Sequence, residues 1–462
     1  MASFSFSRVP VSCPPVQTPY RSIRTPLPVP ESLPILAEIE ACESRSMHGQ
    51  MPVVWDHASD FQVFDAWGNV WLDFTSTIFV ANAGHANPRI VAAVREMLDH
   101  GLVHTYTYPT AIRARFLRAL VDATPPQFEK AYLVSSGTEA TEMVVKLMRL
   151  NGQRLGKRRL GVVSFAGAFH GRTQGAAMIG GTPEGRTWIG FEDPNVHQLP
   201  FPYEWSLAPG ETGRDRFLAH AKLLEDKGLD PDRDLCGFIF EAYLGWAAAL
   251  LPAGYAAAAA EYAAAHGMVL AFDEVQGGFG RTGKLFVHQH YGVSPDLIAC
   301  GKGISSGLPL SAVLGRRELM DLPEVGSLSS THSANPLVCA AGLANLHEIL
   351  DRDLCGAAAR TGAAMIARLE EMRTRHPDRI ARVSGKGMLA ALIFRTRDGA
   401  PDSLTPSRIC ECAMRKGLLL VHTGRESIKF GPPLTMPMDA MAEGMDALEA
   451  CLEEVFAGDA AS

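Results

Sequence analysis

Hydrophobic and polar positions fall into three regimes along the chain. Over residues 1–30 no period holds, because prolines and scattered arginines interrupt every apolar run; the pattern predicts an irregular, mostly extended arm. ESLPILAEIEACESRS (31–46) then spaces its apolar residues as a short amphipathic helix. FQVFDAWGNVWLDFT (61–75) reads as two strands around an Asp-Ala-Trp-Gly-Asn turn, and NPRIVAAVREMLDHG (87–101) as a helix stopped by Gly101. From about 115 to 315 the character changes. Continuous apolar runs, AYLVS (131–135), GVVSF (161–165), GFIFE (237–241), MVLAFDE (268–274), LIAC (297–300) and SAVLG (311–315), are separated by helical stretches such as GTEATEMVVKLMRLNG and YAAAAAEYAAAHG. Strands apolar on both faces and divided by helices predict an α/β domain with a mostly parallel sheet covered on both sides. Beyond residue 340 a long helix leads to a strand pair in ARVSGKGMLAALIF and to helices near 405–416 and 438–456, a smaller α+β unit. The expected divisions are an arm (1–30), an N-terminal segment joining the small domain (31–100), a large domain (101–340) and a C-terminal small domain (341–462).

The length of 462 residues suffices for two or three domains with a large core. A net charge of -7 offers no basic excess for a polyanion, so no nucleic-acid partner is expected, and the run GKRRL reads as a solvated loop. Nine cysteines show no CxxC pair, which predicts reduced thiols. Cys410 and Cys412, one residue apart on a helix, face different ways, so no metal site is expected. No apolar stretch is long enough to span a membrane, and the first thirty residues lack the apolar core of a signal peptide. The expectation is a cytoplasmic protein.

Within the parallel sheet the chemistry gathers where strands end, the place where such sheets bind ligands. VLAFDEVQGGFGRTG (269–283) poses the sharpest question: an apolar strand ends in Asp273 and Glu274, and a buried carboxylate needs a positive partner. In YLVSSGTEATEMVVKLM, Ser136, Gly137 and Thr138 stand where a strand turns into a helix. Their small size lets backbone N–H groups meet an anion, and a plain helix N-cap explains them equally well. In FAGAFHGRT (165–173), Phe169 and His170 follow a strand and either present a flat ring or pack as core. Lys302 stands between two glycines directly after the strand 297–300, where desolvation would lower its pKa and make it a nucleophile. SLSSTHSANPLVCAAGLA (327–344) adds a polar turn before a small-residue helix. A pyridoxal phosphate cofactor would use all of these: a lysine for its aldehyde, a carboxylate for its ring nitrogen, a helix N-terminus for its phosphate and a flat side chain for its ring.

The ordered set SSGTEA, FHG, DEVQGGFGRTG, GKGISSGLPLSAV and NPLVCAAG resembles the class III pyridoxal-phosphate aminotransferases of the aspartate-aminotransferase fold, from about residue 50 to 440. The resemblance implies a seven-stranded-type sheet in a large pyridoxal-phosphate-binding domain. It implies Lys302 as the internal aldimine lysine, Asp273 on the pyridine nitrogen, Val275 and Phe169 on the two ring faces, and Gln276 near the ring hydroxyl, with His170 beside them. Ser136, Gly137 and Thr138 would hold the phosphate, joined by Thr331 from the neighbouring subunit of a homodimer. The implied reaction moves an amino group between a primary amine and a carbonyl acceptor, passing through pyridoxamine 5'-phosphate. Epimerisation or decarboxylation on the same site, and a non-catalytic cofactor-binding regulator, are the alternatives.

Two departures concern the substrate. Where many members carry an arginine that grips a carboxylate, SIKFGPPLT (427–435) has Lys429, a point charge in place of a fork. Where ω-amino-acid members carry a glutamate that masks that arginine, EAYLGWAAALLP (241–252) has Trp246, a stacking face for a cation or sugar ring. Either Trp246 receives a bulky ω-amine, polyamine or amino sugar, or it packs while Arg425 does the gripping.

Overall fold

The computed structural model describes residues 4–461; the first three residues of the expected arm and Ser462 at the end of the expected C-terminal domain lie outside the described residues. The chain divides into two units. Among the described residues the first comprises 4–87, 246–248 and 356–461, and the second 88–245 and 249–355.

The second unit is built on seven strands: β1 (Lys130–Val134), β2 (Gly161–Phe165), β3 (Val196–Leu199), β4 (Leu235–Glu241), β5 (Val269–Asp273), β6 (Leu297–Cys300) and β7 (Ser311–Gly315). Their order is β1-β7-β6-β5-β4-β2-β3. Only β7 runs against the rest, pairing antiparallel with both β1 and β6. β2, β4, β5, β6 and β7 are buried at every position, as their uninterrupted apolar runs require of a sheet covered on both faces. Helix α1 (Gly137–Arg154) buries Ala140, Met143, Val144, Leu147 and Met148 among residues of the sheet such as Val162, Ile239 and Val269. The parallel strands end together. Register puts Glu241 of β4 opposite Asp273 of β5, and Asp273 opposite Ala299 of β6, three residues before Lys302. Past β4 the chain makes a small hairpin, Tyr243–Leu244 with Ala249–Leu250.

The first unit holds two small sheets. One is ordered Val16–Gln17, Ser22–Ile23, Val70–Asp73, Gln62–Phe64, His57–Ser59, with Leu418–Leu419 parallel to Val70–Asp73. The hairpin expected in 61–75 is its centre, with Phe64 opposite Val70. Trp71, fully buried, donates its indole N–H to Met414 O at 2.8 Å within a cluster of Ile23, Leu27, Val63 and Leu419. The second sheet joins Ile380–Gly385, Ala390–Phe394, Ser427–Phe430 and Val421–His422, all antiparallel. The helix expected over 31–46 forms at Leu33–Cys42 but buries none of its residues, so Ile35 and Ile39 stand exposed. Ser76 to Phe79 turn through four successive left-handed residues, a costly conformation for side chains bearing Cβ; Ser76 Oγ secures it by donating to Gly431 O at 2.7 Å.

Candidate active site

The turn after β1 starts α1 with a complete capping box. Ser136 Oγ accepts from Glu139 N at 3.4 Å, and Glu139 Oε2 accepts from Ser136 N at 2.7 Å. The cap reading of Ser136 is therefore realised. Gly137 and Thr138 take the first two helical positions, whose N–H groups have no carbonyl one turn earlier to bond and face outward with the positive end of the helix dipole. Gly137 is a glycine for a reason of space. A Cβ there would lie 2.7 Å from Val275 Cγ1.

After β2, Phe169 is 52% exposed, and its backbone N–H donates to Glu241 Oε2 at 3.1 Å. His170 is buried, and its Nδ1 meets Asp273 Oδ2 at 2.8 Å; its carbonyl accepts from Thr141 Oγ1 at 2.7 Å. The carboxylate at the end of β5 thus finds hydrogen-bond partners inside the chain. Asp273 is held by the His170 ring on one oxygen and by Val275 N, at 3.0 Å, on the other. Glu274 is a separate matter. Fully buried, it accepts from Val287 N at 2.9 Å and His288 N at 2.8 Å, with His288 Nδ1 at 3.2 Å, and so fastens the following loop. Gln276 Oε1 accepts from the Tyr243 hydroxyl at 2.7 Å.

Lys302 follows β6 with φ of 45°, a left-handed geometry rare for a side-chain-bearing residue and characteristic of ligand clamps. Burial pushes its pKa below the ordinary lysine value, while Asp273 and Glu241 pull it back. Gly301 just before it leaves room for Val275, which lies between the Gly137 turn and the Gly301 turn. Thr331 sits on the exposed loop after β7, its carbonyl accepting from His104 Nε2 at 2.9 Å.

Ser136, Gly137, Thr138, Phe169, His170, Asp273, Val275, Gln276 and Lys302 therefore all lie in the second unit, beyond the carboxyl ends of β1, β2, β5 and β6. Trp246, Arg425 and Lys429 belong to the first unit. There the Arg425 guanidinium lies 4.0 Å from the Trp246 ring centre, Ser427 Oγ donates to Trp246 O at 2.9 Å, and Lys429 Nζ lies 4.7 Å over the Phe79 ring. Sequence reasoning passed over Glu241 and Tyr243. Glu241 carries the signal that drew attention to Asp273, a carboxylate closing a buried apolar strand.

The donor set suits pyridoxal phosphate. It offers an amine of lowered proton affinity, a fixed carboxylate with lone pairs to share, a half-exposed flat ring, and a helix N-terminus whose cradle a side chain would fill. Among the described residues no helix is long and apolar enough to cross a membrane, and no cluster of His, Cys, Asp or Glu has the makings of a metal site.

Comparison with known proteins points the same way. The family described as aminotransferase class-III matches residues 44–452. The chain is 33% identical over 414 residues to the 2-aminoadipate transaminase of Pseudomonas putida, covering 87% of this chain and 96% of that one. It is 30% identical over 409 residues to an alanine/serine racemase of Pyrococcus horikoshii, covering 85% and 84%. Among solved structures, a thermostable (S)-enantioselective omega-transaminase from Thermomicrobium roseum superposes with a TM-score of 0.84 at 25% identity, over 92% of this chain and 99% of that one. The chain belongs to the class III aminotransferases and is a pyridoxal-phosphate-dependent transferase of amino groups.

Proposed function

We propose that Lys302 anchors the cofactor of this aminotransferase and is its proton-transfer base, and that Arg425, seated on Trp246, recognises a carboxylate on the substrate. The first part is carried by one observation: a partly buried lysine in a left-handed turn at the carboxyl edge of the sheet, its proton affinity lowered by desolvation. The overall reaction transfers an amino group from a primary amine to a carbonyl acceptor. Bound pyridoxal phosphate supplies an electrophilic carbon and an electron-withdrawing ring. The chain supplies position and charge. Lys302 Nζ takes and returns the proton at the substrate carbon. Asp273, aligned by His170 and Val275 N, would keep the ring nitrogen protonated. Phe169 and Val275 would hold the ring, Gln276, bonded to Tyr243, would serve its hydroxyl, and the N–H groups of Gly137 and Thr138, on a turn shaped by Ser136, would receive the phosphate.

Thr331 of the partner subunit completes the phosphate site in this reading. Its loop is tied to the loop 102–108 by His104 and by the Tyr106 hydroxyl on Ser329 Oγ at 3.2 Å, and together they expose Val103, Tyr106, Tyr108 and Val325, apolar surface suited to a homodimer. All nine cysteines are free, which suits a cytoplasmic location.

For the substrate, the carrying observation is the guanidinium 4.0 Å above the indole. The indole supports the guanidinium, which also meets Glu426 Oε1 at 3.4 Å and keeps further N–H donors for a substrate carboxylate. The Lys429 ammonium, by contrast, is buried above Phe79. The test compares kcat/KM for glutamate and ω-amino acids with that for diamines and amino sugars. Arg425→Ala should lower the former by about 10- to 150-fold, the loss of a charged hydrogen bond of about 1.5–3 kcal/mol, and spare the latter. Preference for diamines or amino sugars, with no effect of Arg425→Ala, would instead support a bulky ω-amine on the Trp246 face. Epimerisation and decarboxylation are not favoured by the family, and neither is a non-catalytic role.

A further inference from the structure

The family reading gives no part to Glu241, yet two loops of the cofactor pocket converge on it. One carboxyl oxygen accepts from the backbone N–H of Phe169 at 3.1 Å, the other from that of Gly245 at 3.2 Å. Phe169 carries the exposed ring. Gly245 lies in the hairpin that also presents Tyr243 to Gln276, and a Cβ at Gly245 would stand 2.9 Å from Glu241 Oε1, so the glycine permits the approach. The same carboxyl faces a crowded neighbourhood. Asp273 is its register partner on the next parallel strand, about 4.8 Å away along the sheet. His170 acts on it from the turn after β2, Lys302 from the turn after β6, and the Tyr243 phenol from the hairpin; Arg281 and Glu274 act in turn on Tyr243. The His170 ring is committed to Asp273. Two buried carboxyl groups side by side on neighbouring strands do not both ionise readily.

We propose that Glu241 is a positioning residue of the cofactor pocket, whose carboxyl group clamps the Phe169 turn to the Gly245 hairpin and stores a proton beside Asp273 and Lys302. The inference rests on the assignment of Lys302 and Asp273 to the cofactor. Burial, opposed by His170 and reinforced by Asp273, raises its pKa from 4.5 to about 7. The clamp therefore tightens as the group ionises on going from mildly acid to mildly alkaline solution, and its new negative charge raises the proton affinity of Lys302.

The experiment uses the cofactor-loaded enzyme. Infrared difference spectra of the wild type between about pH 6 and pH 8 should show a protonated-carboxyl band disappearing as pH rises. Glu241→Gln should abolish that band, shift the pH titration of the visible absorption to lower pH, and change the visible circular dichroism of the ring while retaining full cofactor content. A wild type without the infrared band, or a Glu241→Gln enzyme whose titration and dichroism match the wild type, would overturn the proposal. The infrared measurement on the wild type decides it even if the variant does not fold. Lys302→Ala separates the two failures, because a visible aldimine band that survives its removal refutes the cofactor assignment and not the role of Glu241.

Discussion

Gly137→Ala, alone and combined with Val275→Ala, tests whether the first turn of α1 and the valine after β5 form one cradle. The added Cβ would stand 2.7 Å from Val275 Cγ1, 3.2 Å from Cγ2 and 3.6 Å from Cβ. Carbon atoms pack at about 3.5–4.0 Å, so Val275 must move by most of an ångström. It has little freedom to do so. A β-branched side chain is stiff at χ1, and its Cγ1 is packed close against both glycine turns, at Gly137 and at Gly301. Overpacking of this kind costs about 1–3 kcal/mol. At the first helical position alanine returns little of the roughly 1 kcal/mol that it gains in a helix interior, so the apoprotein should lose about 1–3 kcal/mol, read as a lower urea midpoint. The displacement also falls on the cofactor site, where it should weaken pyridoxal phosphate binding by about 5- to 150-fold. Removing both methyl groups of Val275 relieves the overlap. The double variant should therefore bind cofactor more tightly than Gly137→Ala, with a coupling of about 1–3 kcal/mol in a double-mutant cycle. The assay is titration of apoenzyme with cofactor, followed by the visible band. Wild-type affinity in Gly137→Ala, or additive effects in the double variant, would refute the cradle.

Glu274→Gln should destabilise the protein by about 2–4 kcal/mol in urea unfolding, since an amide cannot accept all the N–H groups of Val287 and His288 that the buried carboxylate accepts. Asp234 is paired with Arg158 at 2.6 Å, which holds its pKa down at about 2 from 3.8. A depressed carboxyl contributes stability above its unfolded pKa and loses it as pH falls through the folded one, so melting temperature should drop between about pH 4 and pH 2, and less steeply in Asp234→Asn.

Much of the large sheet was legible because its strands are buried on both faces, and continuous apolar runs bounded by helices have few other readings. β3 was not among them. VHQL lies at the sheet edge, where polar residues are tolerated, and so carries no apolar run. The helix at Leu33–Cys42 was legible as a helix, whereas its lack of any buried face depends on what surrounds it. Lys302 and Asp273 stood out as charges closing apolar strands. Glu241 closes one too, but it also opens the stretch in which Trp246, five positions on, is the more conspicuous departure. The left-handed backbone at Lys302 and over Ser76–Phe79 leaves no compositional trace, since neither stretch uses glycine where φ is positive. Arg425 on Trp246 is a contact across 179 residues of sequence, which no local period encodes.

The central claim is that Lys302 holds pyridoxal phosphate and that the loaded enzyme transfers amino groups. The most direct measurement is the visible absorption spectrum of the purified protein and of Lys302→Ala, before and after addition of glutamate, alanine, ω-amino acids, diamines and amino sugars, with no carbonyl acceptor present. The account predicts a lysine-dependent band that converts to a stable pyridoxamine phosphate form with one amine class preferred, and no turnover in the variant. A band that shifts with amine but never settles as pyridoxamine phosphate, or an active Lys302→Ala enzyme, would contradict it.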